Sequence, residues 1–156
     1  MRHPRKGTTL IEVLMVIFLI TILAVVTIAN LLGKRSRTEL DNTASQIASL
    51  LREARSKSML QASSTSWGVH FENATTSFYS IFSSTTYATS VERGHYVLPS
   101  SVIYVSSTVS QGGSKDITFA QITGLSSVST TVTFRLQRDP SSTITISIAS
   151  SGVVGY

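Results

Sequence analysis

The chain has 156 residues, enough for one domain and an anchoring segment but not for two full domains. It contains no cysteine, which excludes a disulfide framework and a thiolate metal site. The formal net charge is +5, yet from residue 63 onward four basic residues meet four acidic ones, so this part is neutral. A neutral C-terminal part offers no positive field to phosphates, which disfavours nucleic acid as a partner.

The first predicted element is a long apolar helix. Residues 10–32 are apolar except for Glu12 and three neutral polar residues. As a helix, the run 13–32 would cover about 30 Å, the thickness of a bilayer core. A buried helix of a soluble protein is one alternative, but so small a chain could hardly cover it on every side. A cleaved secretory signal is another, although its apolar region usually has about 7–15 residues.

We therefore predict a transmembrane and assembly helix over residues 8–33. Three basic residues precede it and three follow it closely, so charge does not settle its orientation. The size of the C-terminal part indicates that this part is exported.

Glu12 stands near the start of the apolar run, where a carboxylate is costly: about 2.5–3.5 kcal/mol at the centre of a membrane helix and less near an end. One interpretation is a capping box, with Thr9 as the N-cap and Glu12 three residues later. A second interpretation assumes cleavage after Gly7. Thr8 would then gain a charged amine four residues before Glu12, on the same helix face. Such a buried ion pair is costly to break and can therefore set the register of helices in a bundle.

The stretch 6–13 reads KGTTLIEV, follows a short basic leader and precedes the apolar run. It resembles the class III signal of type IV pilins and type II secretion pseudopilins. The resemblance implies a leader at residues 1–7, cleaved between Gly7 and Thr8 by a prepilin peptidase on the cytoplasmic side. It also implies N-methylation of Thr8 and a role for Glu12 as an assembly contact. The first mature residue of the family is usually Phe, whereas here it is Thr8.

Beyond residue 33 the apolar pattern becomes one-sided, which predicts that residues 34–62 are the amphipathic half of the same helix. The apolar stripe consists of Leu40, Ala44, Ile47, Leu51, Ala54 and Ser58, widened by Leu50 and Met59. The basic residues Arg52, Arg55 and Lys57 fall mostly off this stripe and indicate a solvated face. The stretch 51–56, together with Met59, resembles a region of the GspH/FimT branch, which comprises H-type pseudopilins and FimT-like minor pilins.

Alternation of apolar and polar residues after residue 62 predicts a β-rich head over residues 63–156, with roughly five to seven antiparallel strands and one wet face. Trp67, Val69 and Phe71 would face the core, which would place His70 on the wet face. Turn signals lie at 111–114, 123–124 and 139–141. The predicted fold class is thus α+β and pilin-like. A long N-terminal helix, transmembrane in its first half, packs by its second half on an antiparallel sheet.

The head carries no motif of a serine hydrolase, a zinc protease or a phosphate-binding loop. A Ser/His/Asp triad with Asp116 or Asp139 can be imagined among so many serines, and the head histidines are His70 and His95. No motif supports such a triad. We expect no catalytic residue, no cofactor and no metal site, and hence no enzyme.

These observations predict a structural subunit of a type II secretion pseudopilus or a type IV pilus, assembled through its N-terminal helix. The resemblance implies a single-pass protein of the bacterial inner membrane with its head exported into a filament. The implied partners are other pilin or pseudopilin subunits, the prepilin peptidase, the inner-membrane assembly platform and membrane lipid. An alternative is a DNA-binding minor pilin, but residues 150–156, where some FimT-like pilins carry bases, contain none. A signal-anchored protein without a filament role and a secreted enzyme are the remaining rivals.

Overall fold

A computed structural model describes residues 9–156 of the chain, apart from the side chains of residues 26–33. The chain divides into two units, residues 1–35 and 36–156. The predicted cleavage site between Gly7 and Thr8 lies outside the described residues.

One helix, α1, runs over Leu10–Met59 and contains 50 residues. It begins where the backbone N–H groups of Glu12 and Val13 donate to the Thr9 carbonyl oxygen, at 3.1 and 3.3 Å. Glu12 in its first turn and Lys57 in its last turn carry the charges that the helix dipole favours at each end. The prediction of a long N-terminal helix is confirmed.

The predicted apolar stripe is buried in the head. Its members, and the flanking Leu50, are at most 5% exposed. Met59, which was expected to widen the stripe, is instead 45% exposed, because α1 ends there and the chain turns away from the core. A spacing of 4 and 3 residues therefore identified the packed face correctly up to the last residue of the helix.

The head contains eight strands in two antiparallel sheets of four. The strands are β1 (Trp67–Glu72), β2 (Phe78–Ser83), β3 (Val91–Val97), β4 (Val102–Tyr104), β5 (Ser114–Phe119), β6 (Thr130–Leu136), β7 (Thr143–Ile148) and β8 (Val154–Gly155). The first sheet has the order β3-β2-β1-β5 and the second the order β4-β6-β7-β8. Short 3₁₀ turns lie at Ala62–Ser64 and Tyr87–Thr89. The antiparallel arrangement is as predicted, but the head has eight strands rather than the five to seven expected. In β3, exposed charged residues leave no alternation from which a strand could be predicted.

The core combines the buried face of α1 with one face of each sheet. Its largest side chains are aromatic: Phe71, Phe119 and Phe134 are fully buried, and Tyr104 contacts Phe71 and Phe134 ring to ring. Burying an aromatic or aliphatic side chain of this size contributes about 1.5–3 kcal/mol, so each member of this cluster stabilises the head substantially.

The prediction that His70 lies on a wet face of β1 is wrong, because His70 is only 4% exposed. Residues 84–90, which we call the strap, cross the outer face of the first sheet at His70 and Phe82, where the Tyr87 ring contacts both side chains. Beneath the strap, Phe82 is fully buried beside Gly68. A Cβ atom on Gly68 would come within 2.8 Å of the Phe82 ring, so the absence of a side chain makes room for that ring.

Candidate functional site

The N-terminal part of α1 presents large apolar side chains on all its sides. Between Leu10 and Val25 these side chains are 46 to 80% exposed. An apolar surface of this extent normally marks a contact with lipid or with another protein. Within the described residues, no helical stretch combines the length and the apolar character needed to cross a membrane.

Glu12 is the one charged residue in this apolar stretch of the sequence. It occupies the first turn of α1 and its side chain is exposed. A carboxylate in the first turn is stabilised by the helix dipole and can accept hydrogen bonds from a donor outside the helix. Of the predicted site residues, Glu12 is described by the structure, whereas Gly7 and Thr8 are not.

The second candidate site is the arginine motif, which we define as Arg52, Arg55 and Ser58 near the end of α1. Arg52 Nη2 donates to the carbonyl oxygen of Val154 at 3.2 Å. Arg55 donates through Nε to the carbonyl oxygen of Gly124 and through Nη2 to that of Ser151, both at 3.3 Å. The solvated face expected for these arginines is therefore wrong for Arg55, which is half-buried against two loops.

Ser58 completes the motif on the buried side of the helix. Its Oγ accepts the backbone N–H of Trp67 at 2.8 Å, at the first residue of β1. Because Ser58 is fully buried, this bond satisfies a donor that water cannot reach. The motif thus ties three parts of the head to α1: the start of β1, the loop at Gly124 and the C-terminal hairpin.

A third group of polar side chains, which the sequence did not reveal, lies under the strap. His70 Nδ1 is 2.5 Å from Asp116 Oδ1, and His70 Nε2 is 3.2 Å from Glu72 Oε2. The Tyr87 ring stacks on the imidazole, with centroids 3.7 Å apart and an interplanar angle of 6°. A wet face predicted from alternation gave no reason to look for a buried histidine there.

The same geometry argues against a Ser/His/Asp triad at His70. Strand register places Ser80 and Asp116 directly opposite His70, on either side of it. Both ring nitrogens nevertheless face carboxylates, and the buried Ser80 Oγ has no hydrogen-bond partner. No general base is therefore aimed at this hydroxyl. In the part of the chain that the structure describes, no group of three or more His, Asp or Glu is arranged to hold a metal ion.

The perturbed tyrosines and lysine of the head reflect burial. Desolvation, followed by the neighbouring Tyr96, raises the pKa of Tyr79 to about 12. Desolvation also raises the pKa of Tyr104, with smaller contributions from Tyr79 and Glu72. Burial lowers the pKa of Lys115. These shifts follow from packing alone and do not by themselves point to a reactive cleft.

Comparison with known proteins decides the family. The model of the family "Type II transport protein GspH" matches residues 43–152. The chain belongs to the GspH family. Among solved structures, it is similar to the minor pseudopilin EpsH from the type 2 secretion system of Vibrio cholerae. The TM-score is 0.55 at 12% identity, over 75% of this chain and 94% of that one. No curated protein sequence matches the chain.

The resemblance to H-type pseudopilins is confirmed, and so is the α+β pilin-like fold with an N-terminal helix and antiparallel sheets. GspH-type pseudopilins are structural subunits and not enzymes, in agreement with the prediction for this chain. The matched range contains the whole arginine motif, whereas Glu12 and the predicted cleavage site precede it.

Proposed function

We propose that the chain is a minor pseudopilin, a structural subunit of a type II secretion pseudopilus. The observation that carries the proposal is the GspH family match over residues 43–152, which is supported by a pilin-like fold. In this proposal the first half of α1 anchors the protein in the inner membrane, and the head is exported. The exposure of the large apolar side chains between Leu10 and Val25 supports that anchoring role.

Maturation supplies the partner of Glu12 in this proposal. A prepilin peptidase on the cytoplasmic side cuts between Gly7 and Thr8, and N-methylation of Thr8 follows. The new terminal ammonium lies four residues before Glu12 and so falls on the same helix face. In an apolar environment the Glu12 carboxylate of one subunit pairs with the ammonium of the same or an adjacent subunit, and the cost of breaking the pair sets the register of the helices.

The head must remain attached to the helix while the platform in the membrane inserts and extracts subunits. Two features support this requirement: the buried stripe of α1 in the core and the arginine motif at its end. We infer that the motif serves a mechanical role, because it joins the helix to backbone carbonyls and N–H groups of distant parts of the head.

The role of Glu12 can be tested by Glu12→Val, which removes the carboxylate but keeps an apolar helix. We expect normal amounts of the protein in the inner membrane and at least about a tenfold fall in the filament fraction, as measured by immunoblotting, because an unmatched buried ammonium costs several kcal/mol. The matched control is Glu53→Gln, which removes an exposed acid of the same helix that pairs with Lys57. Normal incorporation of the Glu12→Val protein into filaments would refute the assigned role.

Leader removal can be tested directly by N-terminal sequencing of the protein from membranes of its native host. We expect the sequence Thr-Thr-Leu-Ile-Glu, which begins at Thr8. A protein that still begins at Met1 would favour a signal-anchored protein without a filament role.

A further inference from the structure

The outer face of the first sheet carries a row of four rings in contact with one another. The Phe78 ring of β2 contacts His70 of β1 and His95 of β3, with centroids 5.7 and 4.4 Å apart. The Tyr87 ring of the strap stacks on His70 at 3.7 Å. We call these four side chains the aromatic row. Phe78, Tyr87 and His95 are partly or fully exposed, so a partner can reach the row from outside.

Three carboxylates border the aromatic row and form what we call the acidic rim: Glu72, Glu92 and Asp116. They are three of the four acids in residues 63–156. The structure pairs Glu72 and Asp116 with His70, and Glu92 with His95. Three carboxylates outnumber two histidines even when both rings are protonated. The surface therefore keeps a net negative charge, which repels phosphates and attracts cations.

The basic side chains of the same sheet are engaged elsewhere. The guanidinium carbon of Arg93 lies 6.0 Å from the centroid of the Trp67 ring, which belongs to the core. Lys115 Nζ donates to the backbone carbonyl oxygens of Thr108 and Thr131, at 3.4 and 3.1 Å. These two contacts direct both positive charges away from the aromatic row.

A second and independent observation lies in the middle of the row. Ser80 stands directly opposite His70 on one side and His95 on the other, so the three side chains share one face. Ser80 is fully buried, and its Oγ has no hydrogen-bond partner. Buried polar groups without a partner are rare, because they destabilise a protein. This face thus lacks both a positive charge and a hydrogen-bond donor, and a cationic N–H group supplies both.

We propose that the aromatic row and the acidic rim form a docking surface for a basic segment of a partner protein. An arginine or lysine side chain of that segment lies against the rings, pairs with the rim and donates to Ser80 Oγ. Aromatic faces attract such organic cations, and a planar guanidinium also stacks on them. Val97, which lies opposite Phe78 in the register and is 57% exposed, adds an apolar contact that a polypeptide segment can cover. An aromatic centre with a charged rim is typical of protein interfaces.

Peptide titration tests the proposal on the full-length protein in nonionic detergent. The probe is a capped peptide of three Gly-Arg repeats, and backbone amide NMR shifts of β1, β2, β3 and the strap report where it binds. We expect a Kd of about 1 mM or lower at low ionic strength, with shifts confined to this face. A Gly-Glu peptide of the same length should cause no shifts. The inference goes beyond the proposed pseudopilus role and does not depend on it, because the titration involves no filament.

Ser80→Ala separates binding from folding. We expect it to raise the Kd of the Gly-Arg peptide at least about tenfold, as for loss of a hydrogen bond to a charged group. The urea midpoint should stay the same or rise, because the substitution removes a buried hydroxyl that has no partner. A residue with a purely structural role would show the opposite pattern.

Glu92→Gln tests the acidic rim. It should raise the Kd about threefold, as expected for a partly exposed ion pair. The matched control is Asp139→Asn, which removes the acid of the head that lies outside the rim and should leave the Kd within about 1.5-fold.

Several results would overturn the proposal. One is the absence of shifts on this face up to about 10 mM peptide, and another is a Kd that is unchanged in both Ser80→Ala and Glu92→Gln. Equally tight binding of acetyl-arginine amide, or of Ca²⁺ in place of the peptide, would reduce the surface to a site for a small cation. Self-association of the free protein that the peptide reverses would assign the surface to a second copy of this chain.

Discussion

Arg55→Ala removes the guanidinium that joins the end of α1 to two loops of the head. Arg55 Nε and Nη2 each donate to a backbone carbonyl oxygen at 3.3 Å, that of Gly124 and that of Ser151. The stem of the side chain also packs on the turn at Gly152, where a Cβ atom would lie 2.8 Å from Arg55 Nε. The substitution therefore removes two charge-assisted hydrogen bonds and a packed aliphatic stem together.

The expected magnitude follows from these contacts. A hydrogen bond to a charged group contributes about 1.5–3 kcal/mol to stability. Both distances are slightly longer than the usual 2.7–3.2 Å range, and the bond to Ser151 is exposed to competing water. Discounting for these two factors and adding the lost packing of the stem, we expect Arg55→Ala to lower the free energy of unfolding by about 2 kcal/mol. Arg55→Lys should lose about half as much, because an ammonium cannot serve both carbonyls in one plane.

Urea unfolding of the full-length protein in nonionic detergent measures this loss. Trp67 is the single tryptophan of the chain and is only 4% exposed, so its fluorescence reports on the core next to Ser58. The control is Arg138→Ala, at an exposed position in the turn after β6, where we expect a change within about 0.5 kcal/mol. If Arg55→Ala and Arg138→Ala destabilise the protein equally, the arginine motif has no structural role.

Two further predictions concern turns of the head. Gly152→Ala should lower the free energy of unfolding by more than 1 kcal/mol in the same urea assay, since Gly152 has a φ of 78° and the new methyl group would overlap the Gly124 carbonyl oxygen. Hydrogen bonds from the Ser141 and Ser142 hydroxyls hold the pKa of Asp139 at about 2, below its ordinary 3.8. Because this pKa is depressed by folding, the associated stability is present above about pH 4 and is lost as the pH falls toward 2. Asp139→Asn should therefore weaken the fall in the urea midpoint between about pH 6 and pH 2.5, and an unchanged fall would contradict the assigned cause.

The parts of the fold that depend on periodicity could be predicted from the sequence. Leu40, Ile47 and Leu51 recur at helical spacing and are all buried, because a helix that packs on a sheet must bury one continuous stripe. The turns at Gly112 and Gly124 could be predicted from residue type. Glycine adopts positive φ values readily, and these two glycines have φ values of 71° and 63°.

The position of His70 could not be predicted in this way. Alternation in β1 shows which residues share a face, but it does not show whether another segment covers that face. The covering strap has no periodic pattern, and its contact with His70 depends on one residue, Tyr87, that lies 17 positions further along the chain. The adjacent edge strand β3 could not be predicted for a related reason. Its exposed residues follow no clear alternation of apolar and polar side chains.

The arginine motif illustrates a different limit of sequence reasoning. Arginines off the apolar stripe of a helix usually lie in water, and their sequence neighbours give no other indication. The partners of Arg55 are backbone carbonyl oxygens 69 and 96 residues further along the chain, and a carbonyl oxygen leaves no signature in the residue type. The resemblance of residues 51–56 to the GspH/FimT branch was therefore a better guide to this site than the physical pattern.

In the proposed function, Glu12 serves the assembly of the helix, whereas Arg55 keeps the head folded on it. They lie on the same helix, α1, but in different units of the chain. Loss of the Glu12 carboxylate leaves every described contact of the head in place, so head stability should be unchanged while assembly fails. Loss of the Arg55 guanidinium removes contacts of the head alone, so the membrane fraction should be unchanged while head stability falls. Because distant sites without shared partners act independently, the double variant should combine the two defects without enhancing either.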